Sequence, residues 1–554
     1  MVNENLKILP LSSLSKVFAD SAPIETEWSN TSMMRNEVYS FQIAYHWNGY
    51  MKKNVQIRVR SELSPWISIR KVGLVPSEMP CHADHDDNVL RTAPGLYPDA
   101  LYPLDDKGIV LLPEQWRTLW FTITPEEKVE AGIYSIGISF CESIGGCSGE
   151  EELGKMVFQI EILKALLPKQ KLLHTEWFHS DCLATWYEDE VFSEGHWKHI
   201  EQFVTTAAKH GMNMILTPIF TPPLDTKAGG ERPTVQLVDV EKSLGTYRFG
   251  FNRLKQWIDM CRAAGIEYFE FSHLFTQWGA AHAPKIMATA DGLMKRIFGW
   301  DTDAAGEEYR LFLSQFLPEL LRFIEQNHLE KHSYFHVSDE PRMEDYDNYK
   351  KANAILSEYL QDYPVIDALS DYHFYETGAV KNPIPASDHI KDFLNHQVPD
   401  LWTYYCCGQY KQVSNRFFNM PSARNRILGM QLYKFNIKGF LHWGYNFWYS
   451  QYSIHPIDPF RVTDAGYAFP SGDAFVVYPG EDGPIESIRL EVFYEALQDL
   501  RALELLEGTI GRAAVLALLE DGLEYPITFS EYPKDAEWML LKREQINRAI
   551  ESMR

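Results

Sequence analysis

Near Pro168 the hydrophobic pattern of this chain changes period, and that change limits what each part can become. Upstream, the segments Val38–Tyr45, Asn54–Val59, Trp66–Leu74, Trp116–Ile123, Ile133–Phe140 and Lys155–Ile162 are short and rich in β-branched or aromatic residues. Pro, Gly or charged turns break them, and no helical period intervenes, so residues 1–167 are expected to form a β-sandwich. Downstream, strand patterns at Leu172–His179, Asn213–Phe220, Tyr268–Leu274, Ser333–Glu340, Val365–Ser370, Leu401–Cys407 and Gly439–Trp443 alternate with amphipathic stretches. The latter are His196–His210, Asn252–Ala264, Glu307–Asn327, Tyr346–Leu360 and Ala423–Phe435. Alternation of this kind predicts a (β/α)₈ barrel over 168–484, with its sixth strand in the weakly patterned stretch between Phe374 and Pro385. Residues 485–554, with helical periods at Ile488–Leu506 and Ala536–Ser552, read as a C-terminal helical cap packed on that barrel.

The bulk properties exclude several roles. With 554 residues, 45% of them apolar and 23% charged, the chain has material for a large folded core in more than one domain. A net charge of −24 repels phosphate backbones and anionic surfaces, which argues against nucleic acid as a partner. No apolar run is long enough to span a bilayer, so no membrane insertion is expected. The opening MVNENLKILPLSSLSKVFAD lacks the apolar centre of a secretory signal. Seven scattered cysteines do not form a disulfide framework, so reduced thiols and a cytoplasmic location are the expectation. Cys141 and Cys147, flanking a Gly-rich turn, could pair only in an exported protein. A homo-oligomer is compatible with all of this.

One motif dominates the chemistry. In Tyr334-Phe-His-Val-Ser-Asp-Glu-Pro341 an apolar strand ends in two adjacent carboxylates, Asp339 and Glu340. Pro341 is expected to force Glu340 into an extended conformation and to end the strand. The pair then stands where a barrel strand meets its C-terminal loop, the face on which such barrels carry their active sites. Acids before a proline also cap helices, which is the bland reading. Glycoside hydrolysis needs a proton donor and a group that stabilises a cationic anomeric carbon. Strand seven, Leu401 to Cys407, has Tyr404 and Tyr405 but no carboxylate to serve as a distant partner. Vicinal acids suit substrate-assisted catalysis instead. There the sugar's 2-acetamido oxygen attacks the anomeric carbon, Asp339 orients the acetamido N–H, and Glu340 protonates the leaving oxygen. Like-charge repulsion from Asp339 would help keep Glu340 protonated.

Other segments offer binding groups. Gly439–Trp448 carries Trp443, Tyr445, Asn446 and Trp448, an aromatic wall for a sugar ring or, equally, core that seals the barrel end. Ser370-Asp-Tyr-His373 offers Asp371 for sugar hydroxyls and Tyr372 for the acetamido carbonyl, although Asp371 could simply cap a short helix. His174, Glu176 and Trp177 on the first strand and Ser272 and His273 on the third read as supports. The metal-like set in Cys81-His-Ala-Asp-His-Asp-Asp87 matches no zinc spacing and reads as a polar loop of the sandwich. His442 and His455 read as structural. With no nucleotide, metalloprotease or serine-hydrolase motif present, neither cofactor nor metal is expected.

Pieces spread in order along the chain resemble glycoside hydrolase family 123 and the broader domain of unknown function 4091. They are Arg35-Asn-Glu37, Ser40-Phe-Gln42, Gln115-Trp-Arg-Thr-Leu-Trp120, Ala131-Gly-Ile-Tyr134, Phe249–Asn252, Tyr268–His273, Ser338-Asp-Glu-Pro341, Gly439–Trp448, Ser471-Gly-Asp473, Tyr478-Pro-Gly480 and Ile488-Arg-Leu-Glu491 through Leu506. The resemblance implies a sandwich, a barrel and a retaining exo-β-N-acetylgalactosaminidase acting on glycans with terminal β-linked GalNAc, including glycosphingolipid headgroups. It places the family's acid pair on Asp339 and Glu340, and its acetamido-binding tyrosine on Tyr372, with Tyr404 competing. A β-hexosaminidase-like enzyme of other sugar specificity, or a non-catalytic carbohydrate-binding protein, are the alternatives.

Overall fold

The computed structural model describes residues 5–126, 128–143 and 149–553. Cys147, and with it the pairing to Cys141, lies outside the described residues. The N-terminal region is two five-stranded sheets face to face. One runs Leu6–Ser12, Tyr39–Trp47, Trp116–Ile123, Ile67–Ser77, Gly95–Pro103 in spatial order; the other runs Asn30–Met34, Glu150–Leu163, Gly132–Ser143, Lys52–Arg60, Ile109–Leu111. Phe41 sits at their shared core, stacked on Phe158 at 3.9 Å and on Phe121 at 5.0 Å. Tyr39–Trp47 is buried on both faces, because its other side meets the C-terminal helix Ile488–Ile510. There Ser40 Oγ meets Thr122 Oγ1 at 3.0 Å and donates to Glu491 at 3.4 Å.

The central region is a curled parallel sheet. Its spatial order is Ser333–Tyr334, Tyr268–Phe271, Met214–Thr217, Leu173–Glu176, Gly439–His442, Trp402–Tyr404, every neighbouring pair parallel. A parallel pair, Ile366–Ala368 with Asn382–Ile384, stands beside it. Single parallel bridges, Phe335 to Val365 and Ala386 to Tyr404, join that pair to both ends of the larger sheet. The strand missing from the hydrophobic pattern is thus Asn382–Ile384, three residues beginning Asn-Pro. So short a segment shows no period.

Long helices follow the strands where apolar spacing predicts them, at Glu194–Lys209, Asn252–Ala264 and Glu307–Gln326. Gly265, at φ 106°, adopts the left-handed turn that ends the second of these. The pattern over Ala423–Phe435 resolves into two short helices, Ser422–Arg426 and Leu428–Lys434. A four-stranded sheet made from Asp239–Ser243, Thr246–Gly250, Ile286–Ala290 and Leu293–Phe298 is inserted among the loops, and no pattern announced it.

Buried ion pairs tie the regions together. Arg489 bonds both oxygens of Asp99 at 2.8 Å, Arg426 bonds Asp499 and Glu495, and Arg543 bonds Asp499 and Glu37. Breaking one member of such a pair costs roughly 3–5 kcal/mol, because it strands the other charge away from water. Among the described residues no helix is long and apolar enough to cross a membrane.

Candidate active site

Asp339 and Glu340 line a cavity of about 160 Å³ at the C-terminal end of the curled sheet. Loops after different strands build its walls: Trp177, Leu224, Asp225, Gln277, Trp278, Tyr404, Cys406, Cys407, Trp443, Gln451, Tyr452 and Phe469, over a floor of Ala368 and Leu441.

The backbone that carries the pair is clamped from below. Asp367 Oδ1 accepts from the amides of Val337 at 3.0 Å and Ser338 at 3.3 Å and faces His336 Nδ1 at 3.3 Å; Oδ2 accepts the Tyr349 hydroxyl. A carboxylate thus replaces the neighbouring strand at the point where the ladder ends. His336 Nε2 meets Glu270 at 2.5 Å, and Glu270 also accepts from Trp177 Nε1 and Thr175 Oγ1, each at 2.7 Å. Burial disfavours a charge on His336, yet the flanking Asp367 and Glu270 win and raise it to about 9. One buried imidazolium therefore links the strand under the acid pair to the indole that walls the cavity.

Glu340 itself is not extended. Its φ is +43°, in the left-handed region, and it precedes a proline. Its amide donates to Ala368 O at 3.0 Å and its Oε1 accepts the Tyr404 hydroxyl at 2.6 Å. The expected extended conformation loses to these two contacts. A non-glycine residue held there stores on the order of 1–3 kcal/mol, the kind of strain that collects at functional sites. Asp339 fixes its neighbour, since its carbonyl accepts the Trp278 amide at 2.9 Å. Burial, and then the charge of Glu340, hold the Asp339 carboxyl well above the usual carboxylate range. Asp339 therefore keeps a proton that a lone surface acid would lose.

The remaining sequence candidates separate cleanly. Trp177, Tyr404 and Trp443 line the cavity, Trp443 with its Nε1 on Asp473 at 2.9 Å. His273 lies beneath it, stacked on His336 at 4.2 Å and edge-on to Trp177 at 5.4 Å. Tyr372 is half-exposed on the outside, stacked on His396 at 4.5 Å, and Asp371, just ahead of the short helix His373–Glu376, accepts the His373 amide at 3.0 Å. Neither lines the cavity. Tyr445, Asn446 and Trp448 are core rather than wall. Tyr445 donates to Phe203 O at 3.0 Å, Asn446 pairs with both backbone groups of His179, and Trp448 Nε1 donates to Val477 O at 3.2 Å. Beyond Trp443 the chain turns into the packing between loops, and its aromatics follow it there.

The Cys81–Asp87 loop does not stay on the sandwich. Asp86 holds the buried Arg424 through two 2.8 Å bonds, and Asp84 holds Tyr410 and Lys411, so the loop clasps the segment after Trp402–Tyr404. Among the described residues, His273, His336 and Asp367 form a group with metal-ligand spacing. Two of its three members are engaged, however: both His336 nitrogens face carboxylates and Asp367 accepts from three other groups, while His273 Nδ1 has no partner. A proton, rather than a cation, suits it.

Sequence reasoning passed over Asp225, Gln277, Trp278, Gln451, Tyr452 and Phe469. Asp225 and Gln277-Trp278 follow the second and third strands, so their position in C-terminal loops was a usable signal. Burial first, then the nearby Asp473, raise Asp225 to about 6, although the Tyr452 amide and Arg232 oppose this.

Aromatic walls around adjacent carboxyls at the strand ends fit a glycoside hydrolase. The family model for the catalytic domain of glycoside hydrolase 123 matches residues 177–506, more than half of the chain, and the protein belongs to that family. Over 99% of this chain and 98% of the other, the fold is similar to that of a family 123 glycoside hydrolase from Clostridium perfringens, described for glycolipid glycan hydrolysis (TM-score 0.73, 16% identity). A GH10 xylanase with a bacterial Ig-like domain from termite gut (TM-score 0.32, 9% identity, 86% of this chain and 100% of that one) is a far slighter likeness. So is Bifidobacterium dentium β-glucuronidase (TM-score 0.30, 9% identity, 90% and 66%). Neither bears on the chemistry. No curated protein matches the chain.

Proposed function

We propose that this protein is a retaining exo-β-N-acetylgalactosaminidase that removes terminal β-linked GalNAc from glycans, glycosphingolipid-type oligosaccharides among them, by substrate-assisted catalysis. The reading takes the curled sheet as a (β/α)₈ barrel between a sandwich ending near residue 167 and a helical region starting near 485. The observation that carries it is the vicinal pair Asp339 and Glu340 in one small cavity, to which the Trp402–Tyr404 strand adds a tyrosine and no acid.

Glu340 protonates the glycosidic oxygen as the acetamido carbonyl oxygen closes on C1, and the aglycone leaves. Asp339 accepts the acetamido N–H and offsets the charge of the oxazoline that forms. Water then attacks C1 from the face the aglycone left, Glu340 takes its proton, and the configuration is retained. In the free enzyme burial favours a proton on Asp339. An N–H arriving at Asp339 favours its carboxylate and leaves the proton on Glu340. Trp177 and Trp443 give the ring apolar faces. Of the two tyrosines the resemblance offers, Tyr404 is the one in reach, through its bond to Glu340.

Asp225 favours a second reading, because a third carboxylate in the cavity could act as a covalent nucleophile with Glu340 as its acid. The test is a comparison of 4-nitrophenyl β-GalNAc, β-GlcNAc and β-galactoside, with a thiazoline mimic of GalNAc as inhibitor. Cleavage of β-GalNAc, negligible cleavage of the galactoside and competitive inhibition by the thiazoline are expected. Rapid galactoside cleavage, or a 2-fluoro sugar trapped on Asp225, would replace the mechanism.

A further inference from the structure

The cavity holds acceptors on one side and no cation anywhere. Among its lining residues there is no Lys, Arg or His. Asp225 and Gln277 form the wall that follows the second and third strands. Asp225 keeps one carboxylate oxygen on the Tyr452 amide at 3.0 Å. Its backbone carbonyl is held by Ser453 Oγ at 2.7 Å, and Asp225, Tyr452 and Ser453 all sit at positive φ, of 38°, 59° and 53°. Contacts among these loops thus fix the carboxylate's place. Gln277 donates its side-chain nitrogen to Thr226 O at 3.1 Å. That carbonyl can only accept, so the amide cannot flip, and the Gln277 Oε1 is left as a buried acceptor without a partner. Two acceptors on one wall call for a ligand that brings donors.

The nearby cations cannot change that. Arg232 is bound to both oxygens of Asp181 at 2.8 Å, and Arg416 to both oxygens of Glu176. His336 lies under the floor between Glu270 and Asp367. Asp339 and Glu340 add two more carboxyls, and Asp473 stands behind Trp443.

We infer that the Asp225–Gln277 wall selects a terminal sugar whose hydroxyls are free, and that it excludes GalNAc bearing a sulfate ester. A free hydroxyl donates to either acceptor. A sulfate brings only acceptor oxygens and a full negative charge into a cavity of carboxyls, with no cation to meet it. On sulfated glycans a hydrolytic desulfation must therefore act first. In it water cleaves the ester, sulfate leaves, and the free hydroxyl remains for this enzyme.

This rests on the GalNAc reading above. The experiment compares kcat/KM of the wild-type enzyme on 4-nitrophenyl β-GalNAc and on the same glycoside sulfated at O4 or at O6. Each sulfated substrate is expected to fall more than 100-fold below the unsulfated one; retention of more than one-hundredth of the rate on either overturns the inference. Failure to cleave the unsulfated glycoside would instead remove the parent reading, so the two failures are distinct. The wall's part is tested with Asp225→Asn, which keeps an acceptor, adds a donor and removes the charge. If its thermal transition matches the wild type, the unsulfated rate should fall at least tenfold and the ratio of unsulfated to sulfated rates should shrink. An unchanged ratio would overturn the role of Asp225. Gln277→Glu, which adds charge at the same wall, should widen the ratio, and a narrower one would count equally against it.

Discussion

Replacing Tyr404 with Phe removes one oxygen and leaves the ring that packs against the strand pair. The lost bond is the 2.6 Å hydroxyl contact to Glu340 Oε1. A hydrogen bond to a charged group contributes about 1.5–3 kcal/mol net. In the proposed mechanism Glu340 gives up its proton as the aglycone leaves, so the bond strengthens along the reaction coordinate and its full value counts in the transition state. At about 1.4 kcal/mol per tenfold, kcat/KM should fall roughly 10- to 150-fold. The loss should depend on the leaving group. An aryl aglycone such as 4-nitrophenol departs with little protonation and should lie near the low end. An alkyl or oligosaccharide aglycone needs Glu340 fully and should lie near the high end. The assay is kcat/KM on a pair of β-GalNAc substrates with good and poor leaving groups, with a melting curve to confirm the fold. A loss under about threefold on both would refute the argument from Tyr404 altogether. An equal large loss on both would move Tyr404 from Glu340 to the acetamido group, whose cyclisation does not depend on the leaving group.

Glu340→Gln should nearly abolish turnover of oligosaccharides while sparing more of the activity on 4-nitrophenyl β-GalNAc; equal losses would remove its role as acid. Asp339→Asn should slow both substrate types by about 100-fold or more, as loss of a charge-stabilising group does, and near-wild-type rates would take Asp339 out of the mechanism. The same variant should be more stable than the wild type at neutral pH. Because its folded-state value is raised, Asp339 adds stability that is fully present below the unfolded value near 3.8 and lost as pH rises through the folded one. The melting temperatures should therefore coincide near that acid end and diverge above it, with the variant higher by about one to a few degrees; a variant less stable at neutral pH would contradict this. EDTA should leave activity unchanged, since both His336 nitrogens and the Asp367 carboxylate are already engaged within the protein; a loss restored by a divalent ion would refute that.

The site depends on charges that never touch the cavity. Asp367 holds the amides that precede the acid pair, His336 joins Asp367 to Glu270, and Glu270 holds the Trp177 indole. These groups are fully buried, so each relies on the next for its partner. A rigid base of this kind lets Glu340 persist at positive φ beside a proline, because relaxing it would sever both the Ala368 and the Tyr404 bonds. The same base places the positive charge of His336 beside Asp339, where it opposes part of the rise caused by burial and by Glu340.

How much of this the residues announced depends on which forces leave a periodic trace. Apolar spacing revealed the strands, the long helices and the acid pair, because a strand ending in Ser-Asp-Glu-Pro breaks its own pattern. Tyr372 read as a binding group because it follows a strand, yet a short helix turns it outward onto His396. Asp225 and Gln277 sit in irregular loops, where neither period nor propensity speaks and only contacts between loops fix the side chains. Three residues of the segments that carried the family resemblance are fasteners rather than site. Glu37 pairs with Arg543, Gln42 donates to the carbonyls of Ser12 and Ser15, and Arg489 in the C-terminal helix pairs with Asp99. A buried ion pair tolerates few replacements, since removing either member strands the other. Resemblance at such positions therefore reports how the sandwich, the curled sheet and the C-terminal helices are fastened together. The chemistry has to be read from Asp339, Glu340 and the walls around them.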